Sequence, residues 1–412
     1  MKFGTVATAI CLTLKSTQAF VVNNRNVAAL NRISMTQSET NVDVVPASVS
    51  PASTNTELLG GMSPDFEAAM TQVTSALTAV LETPSMEAPL VHFTREYFTA
   101  CDDSSKAGNE KITAQVAAKN MMNAMQYAMK FGLNNKYIFG VTHKALRGQS
   151  PEDEEGNEVD FYNFGCDFFR PAIDSEKSIV LGEESLAKAA EQLKKGENVV
   201  FFANHQSEAD PQVMSILMEK AGYGKEAEEL IYVAGHKVTT DILAIPFSMG
   251  RNLICIHSKK HIDADPDTKN IKQKQNLAAM TGMLKMKKKG GACIWVAPSG
   301  GRDRRDLETG KVPIAPFDQK TIDMFRLMGN KSKVPTHYYS VSMVSYDLCP
   351  PPDTVEAGTG EQRNVRFVPV AIKINEELDN VGGVESRHLF TEQAFETAQQ
   401  GYEECLKALG QE

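Results

Sequence analysis

Two residues five positions apart, His205 and Asp210, stand where an apolar segment gives way to polar residues. Residues 201–203 are typical of a buried strand, and Pro211 is typical of the first turn of a helix. This pattern predicts Asp210 as the helix N-cap, ionised at the positive helix end. A loop that turns back would bring carboxylate and imidazole into contact, so that Asp210 fixes the tautomer and His205 takes a proton from a hydroxyl.

The His-x4-Asp spacing is common by chance. Alone, it favours a plainer interpretation, in which a histidine at the edge of the core lies beside an ordinary N-cap residue. Whether His205 and Asp210 are functional therefore depends on what the rest of the chain brings to the same place.

Two further apolar segments, 252–257 and 292–297, also end in basic residues. Those residues are Lys260 and His261 after the first segment, and Arg302 and Arg304 after the second. In extended backbone, residues two apart point to one side, so both arginines could grip the oxygens of one phosphate. The clusters indicate a small phosphorylated substrate, although either cluster alone is as consistent with a solvated basic loop.

Four segments of the chain resemble the sequence blocks of a known family, the plastid-type soluble glycerol-3-phosphate acyltransferases. They are residues 204–211, 250–261, 297–304 and 345–352. The blocks occur in the family's order, and the resemblance runs from about residue 64 to the C-terminus. It implies a glycerol-3-phosphate 1-O-acyltransferase, which moves a fatty acyl group from acyl carrier protein or acyl-CoA to the sn-1 hydroxyl and yields lysophosphatidate.

The same resemblance implies the roles of the site residues. His205 would be the general base and Asp210 its partner, without a covalent acyl-enzyme, and no residue presents itself as a nucleophile. The phosphate of glycerol 3-phosphate would be bound by Lys260, His261, Arg302 and Arg304.

Three places depart from the family pattern. His236 and Lys237 stand where Asp-Arg is expected, Tyr346 where His is expected, and Arg305 where Pro is expected. These departures bear on how the substrate is positioned more than on the reaction.

Two other functions stay open at this point. A lysophosphatidate acyltransferase would share the His-x4-Asp pattern but usually carries a membrane segment, and no apolar run here approaches the roughly 20 residues of a transmembrane helix. A non-catalytic protein that binds a carrier protein or a phosphometabolite is the alternative from another class.

The fold class predicted is α/β, with a small N-terminal helical domain (63–150) followed by a larger α/β acyltransferase domain (151–412) whose mixed central sheet is flanked by helices. The helical pattern runs to about residue 144. The predicted strands are 198–203, 230–234, 252–257, 292–297, 338–344 and 366–374. The predicted helices are 182–195, 211–221, 267–289 and 316–328.

The N-terminal residues have the pattern of a targeting sequence. Residues 1–19 have the charged, apolar and small-residue zones of a signal peptide, and residues 20–62 read as a transit peptide, acid-poor at first, followed by a linker. Such a bipartite leader predicts import into the plastid stroma. A secreted protein with a basic spacer is the alternative.

The composition of the chain excludes several classes of partner and of site. The net charge of −9 argues against nucleic acid as a partner. The seven cysteines form no C-x-x-C pair, which indicates a reducing compartment without a zinc knuckle. No cofactor and no metal is predicted, since His257 and His261, although four apart, lie where a strand is expected and lack an evident third ligand.

A lysine-rich segment, 285–289, ends a predicted helix on which Leu277, Met280 and Leu284 form an apolar stripe. Lysines there favour the helix C-terminus and usually form a solvated face. They are also suited to docking an acidic acyl carrier protein.

Overall fold

The structure of the protein is a computed structural model, which describes residues 61–80, 87–134, 136–152, 158–258, 262–352, 362–380 and 386–411. The predicted signal peptide and nearly all of the predicted transit peptide and linker lie outside these residues. Two predicted phosphate ligands, Lys260 and His261, also lie outside them.

The α-helices and β-strands alternate through most of the chain. In order, the helices are α1 (Pro64–Val80), α2 (Glu87–Lys106), α3 (Ala114–Tyr127), α4 (Phe161–Phe169), α5 (Glu183–Lys194), α6 (Asp210–Lys220), α7 (Gly224–Glu229), α8 (Ala244–Met249), α9 (Pro266–Lys289), α10 (Gln319–Ser332) and α11 (Arg387–Ala408). The strands are β1 (Thr142–His143), β2 (Arg147–Glu152), β3 (Glu158–Asp160), β4 (Ile179–Leu181), β5 (Asn198–Ala203), β6 (Ile231–Gly235), β7 (Asn252–Ile256), β8 (Cys293–Val296), β9 (Thr336–Val344) and β10 (Ala371–Glu377).

The first three helices pack on one another through the face that their periodicity predicts. The steps of three and four residues place the apolar side chains of α1 on one side. Its buried residues are Phe66, Met70, Val73 and Leu77. Tyr97 of α2 stacks on Phe168 of α4 with ring centroids 4.3 Å apart, which ties these helices to the sheet-forming part of the chain.

The strands form an eight-stranded sheet in the order β1-β7-β6-β8-β5-β9-β10-β4, and β2 pairs with β3 separately. Strands β7, β6, β8, β5 and β9 are parallel to one another, whereas β1 runs antiparallel to β7 and β10 runs antiparallel to β9. Strand β4 pairs with β10 in parallel. The predicted α/β class with a mixed sheet is therefore confirmed. The carboxyl ends of the parallel strands form one edge, called here the carboxyl edge, where such sheets place their ligands.

Strand β5 lies near the middle of the sheet, and all six of its residues are buried. Val199, Phe201 and Ala203 pack into the core on one face, while Val200 and Phe202 pack into the core on the other. Alternate side chains of a strand point to opposite faces, so an apolar strand of this kind needs helices on both sides. This packing holds the loop that follows β5 in place.

Several predicted boundaries were wrong for local reasons. Helix α10 begins at Gln319 because Asp318 is its N-cap and accepts the Thr321 N–H at 2.9 Å. The last predicted strand starts only at Ala371, since Val368 makes just an isolated bridge with Ile173.

The structure also contains elements that the sequence did not predict. Helices α4 and α11 and the edge strand β1 are among them, and β1 pairs with β7 at residues assigned to the helical pattern. In the part of the chain that the structure describes, no helix is both long and apolar enough to cross a bilayer.

Candidate active site

The loop after β5 brings His205 and Asp210 together. Nδ1 of His205 lies 2.8 Å from Oδ2 of Asp210, as the sequence predicts. The predicted N-cap role of Asp210 is wrong, because the cap is Ala209 and Asp210 is the first residue of α6. Its side chain turns back to the loop instead of bonding forward into the helix.

Asp210 is fully buried and accepts hydrogen bonds on both carboxylate oxygens. Besides His205, its donors are the N–H of Gln206 (2.7 Å), the N–H and hydroxyl of Ser207 (3.1 and 2.9 Å) and the hydroxyl of Ser345 (2.6 Å). Burial opposes ionisation, but the bonds from His205, Ser345 and Gln206 outweigh it and lower the pKa of Asp210. An ionised Asp210 can only accept, so Nδ1 of His205 carries a proton, and in the neutral imidazole Nε2 then keeps the lone pair.

Two amide side chains fasten this loop to β9 and the residues after it. Asn204 donates to the Met343 carbonyl at 3.0 Å and accepts the Met343 N–H at 2.8 Å. Gln206 accepts the N–H groups of Ser345 and Tyr346 at 2.8 and 3.1 Å. These four bonds explain why amides flank the histidine. Each one satisfies a backbone N–H or carbonyl group for which the loop offers no backbone partner.

The imidazole of His205 is partly open to solvent, with 28% of the side chain exposed. Its ring meets Trp295 of β8 edge to face, with centroids 5.9 Å apart. Trp295 thus covers one side of the imidazole, and the other side is accessible from solvent.

Asp303, between the two predicted arginines, joins the loop after β8 to the loop after β5. Its backbone N–H donates to the carbonyl of His205, and its carboxylate accepts from Asn204 at 3.1 Å and from the Ala315 N–H at 2.9 Å. Burial raises the pKa of Asp303 to about 6. The sequence analysis did not single out this residue.

The structure places Arg302 and Arg304 in an irregular loop, not in the extended strand assumed from their spacing. Arg302 lies beside the loop after β5, with Nη1 3.7 Å from Oε1 of Glu208. Nη1 of Arg304 donates to the carbonyl of Pro352 at 2.9 Å. Both arginines therefore lie in the segment that Asp303 fastens to His205.

Arg363 is a further basic residue here that sequence reasoning missed. It makes ion pairs with Glu208 and Asp241, both at 2.9 Å, and only 11% of its side chain is exposed. Burial opposes ionisation of Glu208, but Arg363 and Arg302 together lower its pKa. No local pattern marks Arg363, because its partners lie more than a hundred residues away in sequence.

Two departures from the family pattern contact each other. The guanidinium of Arg305 lies 5.0 Å from the ring centroid of Tyr346 and donates to Asp347 at 2.6 Å. A proline and a histidine at these places could not form this cation–π pair, so the two departures are coupled.

The other departure, at the end of β6, also finds a partner on the carboxyl edge. The rings of His236 and His257 stack 3.7 Å apart and 9° from parallel. Burial, with His257 beside it, lowers the pKa of His236. Lys237 follows in the same 3₁₀ turn, His236–Thr239. Among the described residues, no three His, Cys, Asp or Glu side chains are grouped so that they could hold a metal ion.

Comparison with known proteins shows which proteins this chain is similar to. Residues 186–344 match the family model Acyltransferase. The chain is 36% identical over 265 residues to the chloroplastic glycerol-3-phosphate acyltransferase of Spinacia oleracea, covering 64% of this chain and 54% of that protein. It is 40% identical over 251 residues to the corresponding protein of Arabidopsis thaliana, covering 61% and 52%.

A third relative is the chloroplastic glycerol-3-phosphate acyltransferase ATS12 of Cucurbita moschata, 37% identical over 296 residues, or 72% of this chain and 61% of that protein. The chain thus spans between about half and three-fifths of the length of these relatives. The solved structure of the 1-acyl-sn-glycerophosphate (LPA) acyltransferase PlsC from Thermotoga maritima matches with a TM-score of 0.35 and 20% identity over 59% of this chain and 78% of that chain, too distant to argue from.

The resemblance drawn from the four sequence blocks is confirmed by these comparisons. The matched segment contains the loop after β5, the loop after β8, and the strands β5 to β9. The chain therefore carries an acyltransferase domain at residues 186–344 and is similar to chloroplastic glycerol-3-phosphate acyltransferases.

Proposed function

We propose that this protein is a glycerol-3-phosphate 1-O-acyltransferase, which forms lysophosphatidate from glycerol 3-phosphate and an acyl thioester. The observation that carries the proposal is the contact of His205 with a buried, ionised Asp210, which leaves Nε2 as a base beside an arginine-bearing loop. The names of the relatives supply the substrate class.

In the proposed reaction both substrates are bound together. His205 takes the proton of the sn-1 hydroxyl, and that oxygen attacks the thioester carbonyl. The new carbon–oxygen bond forms as the carbon–sulfur bond breaks, and the proton passes from His205 to the departing thiolate. Asp210 holds the imidazolium that forms in between.

The side chains near His205 support attack without a covalent acyl-enzyme. The hydroxyls of Ser207 and Ser345 both donate to Asp210, so neither is presented as a nucleophile. Cys349 is buried, and burial raises its pKa to about 12, which keeps its sulfur as the weakly nucleophilic thiol.

The phosphate is assigned to Lys260, His261, Arg302 and Arg304. The positions of Arg302 and Arg304 on the loop pinned by Asp303 support the assignment. Holding the phosphate fixes the hydroxyl against the base, and such positioning accounts for a large part of enzymatic rate enhancement.

The acyl donor is acyl carrier protein or acyl-CoA, and no nucleic acid takes part. The protein works in the plastid stroma, which it reaches through a signal peptide (1–19) and a transit peptide (20–62). The chloroplastic names of the relatives support the plastid, and the leader's composition supports the route. The division into a helical domain (63–150) and an acyltransferase domain (151–412) belongs to the same proposal.

An assay with two acceptors and two donors tests the function. Glycerol 3-phosphate and lysophosphatidate are each offered with acyl carrier protein and coenzyme A thioesters, while thiol release and product are measured. We expect 1-acyl product from glycerol 3-phosphate. Transfer only to lysophosphatidate would identify the other acyltransferase class, and binding without any thiol release would identify a non-catalytic protein.

A further inference from the structure

Helix α9 exposes apolar side chains to solvent. Ile271, Leu277 and Met280 have 57%, 66% and 39% of their surface exposed. The helix packs on the sheet through its opposite side, where Ala279, Met283 and Lys287 are buried. Leu277 and Met280 therefore form an exposed apolar stripe that the described part of the chain leaves uncovered, while Ile271 lies on another side of the helix.

A shallow, open groove with a volume of about 450 Å³ lies beside Leu277, lined by Lys274, Leu277, Ala278, Thr281, Gly282 and Lys285. Small side chains at its centre lie between lysines at its ends. At Gly282 a Cβ would come within 2.8 Å of the Thr142 side chain, so glycine lets α9 approach β1 closely. The result is a shallow depression beside Leu277, with a lysine at each end, that could receive a side chain from a partner.

The charge of this surface is positive, against a net charge of −9 for the protein. Residues 268–289 contain no Asp or Glu, and their charged residues are Lys269, Lys272, Lys274, Lys285, Lys287, Lys288 and Lys289. Lys287 is buried and does not add to the surface. The remaining lysines frame the stripe with the charge that an acidic partner would complement.

Helix α9 is also joined to the carboxyl edge, through the side that packs on the sheet. Asn276 of α9 accepts the N–H of His257 at 2.7 Å and donates to its carbonyl at 2.8 Å, and Gln275 bonds to His257 Nε2 at 2.7 Å. His257 follows β7 at that edge. A partner bound on the outer face of α9 would thus sit next to the edge that holds His205.

We propose that the exposed face of α9, around Lys274, Leu277 and Lys285, is the docking surface for an acidic carrier protein that delivers the acyl thioester. The inference rests on the proposed function and adds the place where the donor binds. Lysines supply long-range attraction, and Leu277 with its groove supplies the apolar contact that orients the partner.

Two variants test the surface, each with a matched control on α11. Lys274→Glu/Lys285→Glu reverses two charges, and Lys407→Glu reverses an exposed lysine on α11. Leu277→Asp is compared with Leu389→Asp, because both leucines have 66% of their surface exposed. Steady-state kinetics are measured with acyl-acyl carrier protein and with acyl-CoA at two salt concentrations.

We expect both α9 variants to lower kcat/KM for the protein-bound donor by about tenfold or more and for acyl-CoA by less than about twofold. The charge variant should also lose most of the salt dependence. Equal losses with both donors, or losses as large in the α11 controls, would overturn the proposal.

A binding titration keeps this test separate from the proposed function. Acyl carrier protein should bind the wild-type chain and bind the α9 variants at least about tenfold more weakly, even if no turnover is found with any donor. If the carrier protein binds but no thiol is released, the proposed acyltransferase function is wrong, whereas the proposed docking surface still stands. Binding of the carrier protein that the variants do not weaken, together with α9-dependent binding to phosphatidylglycerol vesicles, would assign the surface to a membrane and reject the proposal.

Discussion

Oγ of Ser345 lies 2.6 Å from Oδ1 of Asp210, although the two residues are 135 positions apart in sequence. The bond links the residue after β9 to the first residue of α6, at the point where Asp210 also contacts His205. Asp210 is therefore oriented by the sheet as well as by its own loop. This arrangement makes the pair with His205 a fixed geometry and not a chance contact.

Removing the Ser345 hydroxyl should weaken catalysis while Asp210 keeps its other donors. We expect Ser345→Ala to lower kcat by about three- to tenfold and the free energy of unfolding by about 1 kcal/mol. Ser340→Ala is the matched control, since its buried hydroxyl on β9 donates to the Ala394 carbonyl at 2.6 Å. The control variant should lose a similar amount of stability but keep the wild-type kcat. A similar loss of kcat in both variants would contradict the role of Ser345 in positioning Asp210.

Arg302→Ala and Arg304→Ala should each raise the KM for glycerol 3-phosphate by roughly 10- to 100-fold and leave the KM for the acyl donor nearly unchanged. Each variant loses a charge-assisted contact with phosphate. Because lysine cannot reproduce the guanidinium fork, Arg302→Lys should recover only part of the affinity for glycerol 3-phosphate. Arg387→Ala, at a half-exposed arginine on α11, is the control. A raised, salt-sensitive KM for the donor would instead mean that these arginines dock the carrier protein.

Arg363 separates two carboxylates, those of Glu208 and Asp241, beside Arg302. Arg363→Met should lower the free energy of unfolding by about 2–4 kcal/mol, because buried carboxylates lose their partner. It should also raise the KM for glycerol 3-phosphate, since Glu208 then pairs more closely with Arg302. Denaturant unfolding and kinetics check both effects.

Pairing the change with Glu208→Gln completes a double-mutant cycle. The double variant should be more stable than the sum of the single losses predicts, by about 1.5 kcal/mol or more. Additive losses would show that the two residues do not act on each other.

Lys287 is fully buried, with Nζ 3.3 Å from the Phe325 carbonyl, and burial lowers its pKa from the usual 10.5 to about 7. Between these two values the unfolded chain binds the proton and the folded chain does not. The free energy of unfolding should therefore rise with pH over this range, by up to about 1.4 kcal/mol per pH unit.

Replacing this lysine removes its contribution to the slope. Lys287→Met should be more stable than the wild type at pH 7, and the difference should shrink as the pH approaches 10. Lys285→Met, at an exposed neighbour, should keep the wild-type slope. The free energy of unfolding is measured against pH by denaturant unfolding. Equal slopes for Lys287→Met and the wild type would contradict a buried, neutral Lys287.

The sequence predicts the contact of His205 with Asp210 because both lie in one short loop between a buried strand and a helix. Ser345, Asp303 and Arg363 were not predicted, since their partners come from distant segments that only the sheet order brings together. Helix α9 illustrates a different limit of prediction from sequence, namely which face of a helix is buried. Leu277 and Met280 form an apolar stripe, yet the helix buries Ala279, Met283 and Lys287 instead, because close packing on β1 and β7 favours small and flexible side chains.

Glycerol 3-phosphate-dependent thiol release by the wild type and by His205→Ala, with unfolding temperature and glycerol 3-phosphate binding measured on the same samples, tests the central claim most directly. The wild type should release thiol in step with 1-acyl product. His205→Ala should keep its fold and its binding of glycerol 3-phosphate but lose about 10²- to 10⁴-fold in kcat, because only proton removal is lost. Turnover by the folded variant within about tenfold of the wild type would contradict the assignment of His205 as the base.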